Sequence, residues 1–153
     1  MAIIILAIPV IMFFWFRGGS RPTLAAYSPL VIDGDTIFWR GKSYRIHGID
    51  APEVSQAGGE AAKHFLARLM KNQRVTIEIM DIDRYGRSVS RLHGESGDIG
   101  RSMVENGYAR AYFHEDYRKD EARAKRRKRG LWAARGGMPD PAGYRREKQG
   151  KRW

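Results

Sequence analysis

At 153 residues the chain has room for one domain with a modest core, plus extensions. Its 28 Lys and Arg against 17 Asp and Glu give a formal net charge of +11 and a pI near 10.3, a surplus that favours a polyanionic partner, nucleic acid or an anionic membrane. The absence of cysteine excludes a disulfide framework and a cysteine-based zinc site.

The chain begins with an uncharged, almost wholly apolar run, Ala2 to Phe16. Fifteen helical residues reach roughly 22 Å, short of a bilayer core of about 30 Å. That length suits a short anchor or the apolar region of a signal segment, so residues 1–17 read as membrane-targeting. Arg17 and Arg21 follow the run, and the positive-inside rule holds that end in the cytoplasm. Residues 18–26 read as a linker.

From Tyr27 the pattern becomes strand-like. Ser28 to Ile32 leads into an Asp33-Gly34-Asp35 turn, Thr36 to Trp39 leaves it, and Ser43 to Ile49 follows an Arg40-Gly41-Lys42 turn. Glu60 to Met70 then takes helical spacing, with Ala62, Phe65, Leu66, Leu69 and Met70 on one side. Val75, Ile77 and Ile79 alternate with Thr76, Glu78 and Met80, the pattern of a half-buried strand, and Ser88 to Leu92 supplies another. Asp98 is placed to cap a short helix ending at Asn106, with Gly107 just beyond it. Tyr108 to Phe113 is aromatic and extended. Arg118 to Arg129 reads as a basic helix closed by Gly130, with Leu131 and Trp132 anchoring its end. Residues 133–153 mix Gly, Pro and charge without periodicity and read as a disordered basic tail. The order β-β-β-α-β-β-α-α implies an α+β domain over residues 27–132, best fitted by a five-stranded OB-fold barrel with three helices.

Chemistry concentrates in three places. Asp33, Asp35, Asp50 and Glu53 cannot all be buried without counter-charge, since desolvation costs several kcal/mol for each ion. A divalent cation answers that need, and an all-oxygen site suits calcium or magnesium rather than zinc. On Asp33-Gly34-Asp35 alone, a turn whose side chains bond their own backbone is the better reading. Arg45 and Arg87 are suited to bidentate phosphate contacts, although any single arginine in so basic a chain more often sits in a surface ion pair. Strict strand alternation puts Arg45 and Asp50 on opposite faces, so they converge only if the strand twists or ends near Gly48. His47, His64, His93 and His114 lack metal-ligand spacing and read as ordinary strand, surface or loop residues.

The segments Val31-Ile32-Asp33-Gly34-Asp35-Thr36, Arg45-Ile46-His47-Gly48-Ile49-Asp50-Ala51-Pro52-Glu53 and Asp83-Arg84-Tyr85-Gly86-Arg87 resemble, in order, the signature blocks of the staphylococcal-nuclease-like (thermonuclease) family. The resemblance runs from about Tyr27 to Trp132 and includes Val104 to Ala109. It implies an OB-fold nuclease that hydrolyses DNA and RNA with calcium and leaves 3′-phosphate ends. Carried over by position, Asp35, Asp50 and the backbone carbonyl of Ala51 resemble the calcium ligands, with Asp33 behind them. Many members have threonine where Ala51 stands, a change that leaves a main-chain ligand intact. Glu53 resembles the residue that orients or deprotonates the attacking water, Arg45 and Arg87 the pair that clamps the phosphate, and Tyr85 and Tyr112 the aromatics that pack against the nucleotide.

Two carboxylate ligands imply weak calcium binding, on the order of 10⁻⁴–10⁻³ M as in extracellular modules. Cytosolic calcium is too low for such a site. The expected location is therefore membrane-anchored or secreted, with the domain on the non-cytoplasmic side, against the arginine count. A groove bearing Tyr85 and Tyr112 suits single-stranded DNA or RNA. The alternative is a catalytically inactive OB-fold module that binds nucleic acid while tethered to a membrane. Such a module has no chemical need for Asp35, Asp50, Glu53, Arg45 and Arg87 together.

Overall fold

The structure, a computed structural model, describes residues 29–112 and 117–150. The apolar segment, the linker and His114 lie outside the described residues; among those described, no helix is long and apolar enough to cross a membrane.

Three short strands open the domain: β1 (Leu30–Val31), β2 (Thr36–Trp39) and β3 (Lys42–Ile46), joined as an antiparallel meander. After β4 (Ile49–Asp50) comes helix α1 (Gly59–Met70), which buries Ala62, Leu66 and Met70 at the spacing read from the sequence. The hairpin β5 (Thr76–Ile82) and β6 (Ser88–Gly94) follows, and β6 pairs in parallel with β3. Strand β7 (Gly97–Asp98) leads into α2 (Ile99–Glu105), where the Asp98 carboxylate accepts the Arg101 N–H at 3.0 Å, the cap its position predicts. Then come β8 (Arg110–Ala111), α3 (Arg118–Arg126), a 3₁₀ turn (Gly130–Ala133) and α4 (Pro141–Gly150).

The fold is α+β, with four α-helices among the described residues. The strands form a six-stranded sheet, ordered β1-β2-β3-β6-β5 with β7 on β6, and a separate β4-β8 pair. That path has two ends, so in place of the expected five-stranded OB-fold barrel the described residues form an open sheet. The core lies between the sheet and helices α1 and α2, around Ile37, Ile46, Ile49, Leu66, Leu92, Met103 and Val104.

Two further expectations differ. Strand β5 was expected to be half buried, yet Ile79 and Ile82 are exposed. It is an edge strand whose register against β6 shifts between Ile79 and Asp81, and of its residues only Ile77 is partly buried. The C-terminal stretch read as disordered contains α4. Asp140 caps that helix, its carboxylate accepting the Ala142 N–H at 3.1 Å, and Pro141 occupies the first helical position.

Candidate active site

The site is assembled where β3 stops. Gly48 has φ of 75°, a left-handed conformation that turns the chain between β3 and β4. The turn ends the strand alternation that had put Arg45 and Asp50 on opposite faces. Arg45 Nη1 now donates to the carbonyls of Ile46 (3.2 Å) and Ile49 (2.9 Å), the latter on the far side of the turn. Its Nη2 reaches Asp50 Oδ1 at 3.2 Å and Asp35 Oδ2 at 3.3 Å. One guanidinium nitrogen therefore bridges the two carboxylates.

Asp35 comes from the turn before β2 and is buried. Its Oδ2 accepts the Ala51 N–H (3.1 Å) and its Oδ1 the Thr36 hydroxyl (3.0 Å), so the Asp33–Asp35 turn is fastened to the end of β4. Asp33 sits behind it, accepting the Asp35 N–H at 2.9 Å. Burial, with the Asp35 carboxylate beside it, pushes Asp33 up to about 6. Burial and the same Asp35 charge also raise Asp50, offset by hydrogen bonds and charge from Arg145 and by Arg45. Four acids crowd one small region, and guanidinium groups hold it together.

Glu53 follows β4 in a loop held on the start of α1. Its carbonyl accepts the Gln56 N–H at 2.8 Å, and a Cβ on Gly59 would stand 1.8 Å from that same oxygen, so only glycine lets the loop lie this close. Arg87 ends the β5–β6 turn, where Asp83 Oδ2 accepts from its Nε and Nη2, both at 2.8 Å. Burial works against the charge on Asp83, but the Arg87 and Tyr85 hydrogen bonds outweigh it and hold the carboxyl below its usual range. Arg87 Nη1 also reaches the Thr36 hydroxyl at 3.5 Å, which ties the turn to Asp35. Tyr85 is 64% exposed, with the Arg87 guanidinium 5.5 Å from its ring. Tyr112 lies 5.7 Å from the Arg45 guanidinium, its backbone N–H on the Gly48 carbonyl. All the acids and arginines singled out from sequence thus meet, with the two tyrosines at their margin.

One residue was not anticipated. Arg145, on α4, places Nη2 on both oxygens of Asp50 (2.9 and 2.8 Å) and Nη1 on Glu53 Oε1 (2.7 Å). Burial opposes the charge on Arg145, but Glu53 and Asp50 outweigh it and raise its pKa. The signal available was the Asp140-Pro141 pair, a helix start that the surrounding glycines and charges obscured.

Among the described residues, no group of three or more His, Cys, Asp or Glu is arranged to hold a metal ion. What the site does offer is an all-oxygen set, Asp35, Asp50 and the neighbouring carbonyl of Ala51. The two carboxylates are drawn together by shared cations, Arg45 between them and Arg145 on Asp50. Those guanidinium groups supply positive charge at the two carboxylates, and an all-oxygen donor set is the kind that a hard divalent cation takes.

A small α+β domain gathers carboxylates and arginines where β3 ends, and the comparison with known proteins gives its class. Residues 43–134, more than half of the chain, match the family model described as staphylococcal nuclease homologue. The chain belongs to that family. It is 32% identical over 132 residues to a probable staphylococcal-like nuclease of Oryza sativa subsp. japonica, covering 84% of this chain and 35% of that protein. It is 31% identical over 141 residues to a protein of Escherichia coli O157:H7 described as an uncharacterized endonuclease, covering 82% and 88%. A probable endonuclease of Komagataella phaffii is 30% identical over 122 residues, covering 67% and 53%. The chain spans about a third of the length of the rice relative.

Proposed function

We propose that the chain is a calcium-dependent nuclease that hydrolyses phosphodiester bonds of DNA and RNA and leaves 3′-phosphate ends. The observation that supports this reading is a continuous path of hydrogen bonds and ion pairs through Arg87, Thr36, Asp35, Arg45, Asp50, Arg145 and Glu53. It joins, from separate segments, the groups that the reaction needs. Asp35, Asp50 and the Ala51 carbonyl would hold the calcium ion, with Asp33 behind them. When bound, the ion polarises the phosphoryl group and acidifies nearby water.

The remaining chemistry belongs to side chains. Arg45 and Arg87 present charged N–H donors to the non-bridging oxygens and stabilise the charge that grows on them. Glu53 accepts a proton from the attacking water as the new P–O bond forms. The bond to the 5′ oxygen breaks, that oxygen takes a proton from solvent, and the phosphate stays on the 3′ side. Tyr85 and Tyr112 stack against unpaired bases, which favours single strands. A weak calcium site would serve outside the cytoplasm, with the apolar N-terminal segment as anchor or signal.

The contact between Arg145 and Glu53 favours a second reading, a nucleic-acid-binding module that does not cleave. Incubation of the full chain with single-stranded DNA, in millimolar calcium or in chelator, separates the two. Calcium-dependent products ending in 3′-phosphate are expected. Salt-sensitive binding without cleavage would replace the enzyme with the module.

A further inference from the structure

Arg145 does not reach the site by chance of a long side chain. The chain leading into helix α4 and the helix's first half are fastened to the domain. Before the helix Met138 is buried, and Arg110 donates to the carbonyls of Met138 and Pro139; Pro141, the first helical residue, is buried too. At its first turn, Gln56 Nε2 donates to the Asp140 carbonyl at 3.1 Å. Adjacent to Arg145, the Tyr144 hydroxyl meets the Ser55 hydroxyl at 2.9 Å and donates to the Ser55 carbonyl at 3.1 Å. These contacts tie α4 to β8 and to the loop that carries Glu53. The guanidinium they deliver engages both oxygens of one carboxylate and one oxygen of the other.

We infer that Arg145 is a built-in counter-cation for Asp50 and Glu53, and that α4 is a strap which a divalent cation has to loosen before the site can work. The inference rests on the cation-dependent reading above and names its regulation. The argument is one of charge and space. With both Asp50 oxygens on Arg145 and Oδ1 also on Arg45, the carboxylate has no oxygen without a cationic partner. An ion coordinating Asp50 competes with the Arg145 guanidinium for the same atoms. The group that accepts the water's proton is held by the other arm of that fork. One displacement therefore frees a metal ligand and the base together. Apparent cation affinity is the intrinsic affinity reduced by the fraction of molecules with the strap released.

Arg145 is thus a positioning residue for the closed state, and its removal should tighten cation binding. Three charge-assisted contacts on a guanidinium that is 36% exposed make an effect of about tenfold reasonable. The test is calcium binding to the full chain by calorimetry, for the natural sequence, Arg145→Ala and Arg145→Lys, with hydrogen exchange of the α4 amides recorded with and without calcium. Arg145→Ala should bind calcium about tenfold more tightly. Arg145→Lys keeps the charge without the fork that spans two carboxylates, and should fall between. In the natural sequence, calcium should speed exchange across residues 141–150, which loss of a repulsive charge alone does not predict.

Equal affinity in all three proteins, with α4 exchange indifferent to calcium, would overturn the strap and leave the nuclease reading standing. Calcium binding in none of them would overturn both. Tighter binding by Arg145→Ala without cleavage of DNA would uphold the strap while removing the enzyme. If Arg145→Ala does not fold, the lysine variant and the exchange data on the natural sequence decide the matter.

Discussion

Glu53 carries the sharpest expectation at the scale of single residues. It is half buried, its loop is pinned to α1 through Gln56 and Gly59, and its carboxylate accepts from Arg145. Glutamine keeps the shape and the hydrogen bond to Arg145 but cannot take a proton. Glu53→Gln should lower turnover by roughly 10²–10⁴, the span typical of a lost general base. Its melting temperature and DNA affinity should stay close to those of the natural sequence. A single-turnover assay under saturating calcium measures this, and undiminished cleavage would take Glu53 out of the mechanism. Asp35 differs in kind, because its carboxylate has a structural duty as well, holding the Ala51 N–H and the Thr36 hydroxyl. Asp35→Ala should therefore abolish the response to calcium and also destabilise the fold by about 1–3 kcal/mol, the cost of a buried N–H left unsatisfied. Calorimetric calcium titration and urea unfolding separate these two losses.

Turns matter more than strands among the elements, since two of them decide whether the site exists. The turn at Gly48 brings Arg45 and Asp50 to one side. A Cβ there would stand 2.8 Å from the ring of Tyr117, in a backbone conformation unfavourable to any L residue. Gly48→Ala should cost about 1–3 kcal/mol in urea unfolding and weaken calcium binding along with it. A variant as stable and as calcium-responsive as the natural chain would show that the turn does not gather the site. The turn at Asp83 is held by charge, and its pH dependence follows from the sign of the shift. The folded pKa of Asp83 lies below its ordinary value of 3.8. Its contribution is therefore fully present above 3.8 and is lost as pH falls through the lower folded value. Asp83→Asn should be less stable than the natural chain by about 1 kcal/mol near neutral pH, a modest figure because the pair is partly solvated. That gap should close on acidification well below 3.8. A gap independent of pH in urea unfolding would mean that turn shape, not charge, does the holding.

For the whole molecule, the legible parts were those governed by local rules. The α1 stripe, the Asp98 cap and the meander follow from spacing, and the blocks around Asp35, Asp50 and Arg87 led to their meeting place by resemblance. Alternation could not reveal that Arg45 and Asp50 converge, because a left-handed glycine interrupts the strand between them. The exposure of Ile79 and Ile82 was hidden for a similar reason, as edge position is a property of the assembled sheet and not of the strand. Arg145 was hidden because its partners lie 92 and 95 positions away, and long-range pairing leaves no trace in local composition. The same distinction between local charge and its placement governs how nucleic acid should bind. A net charge of +11 makes affinity depend on salt, but only cations along the strand's path set the slope. Arg87 shares its turn with Arg84 and Tyr85, both exposed, the Arg84 guanidinium 4.9 Å from the tyrosine ring. If Arg87 holds the phosphate of a single strand, as proposed, this pair stands beside the strand's path. Each phosphate contact contributes about 0.7 to the slope of log K against log salt for single strands, so Arg84→Gln should reduce that slope by about 0.7. Exposed Arg126 and Arg127, at the end of α3, belong to a different part of the fold, and neutralising them should change the slope less. Fluorescence anisotropy with a short labelled single strand across a salt series, in chelator to prevent cleavage, compares the two. Equal slopes for the natural chain and Arg84→Gln would move the nucleic-acid path away from the β5–β6 turn and leave Tyr85 without a base to stack on.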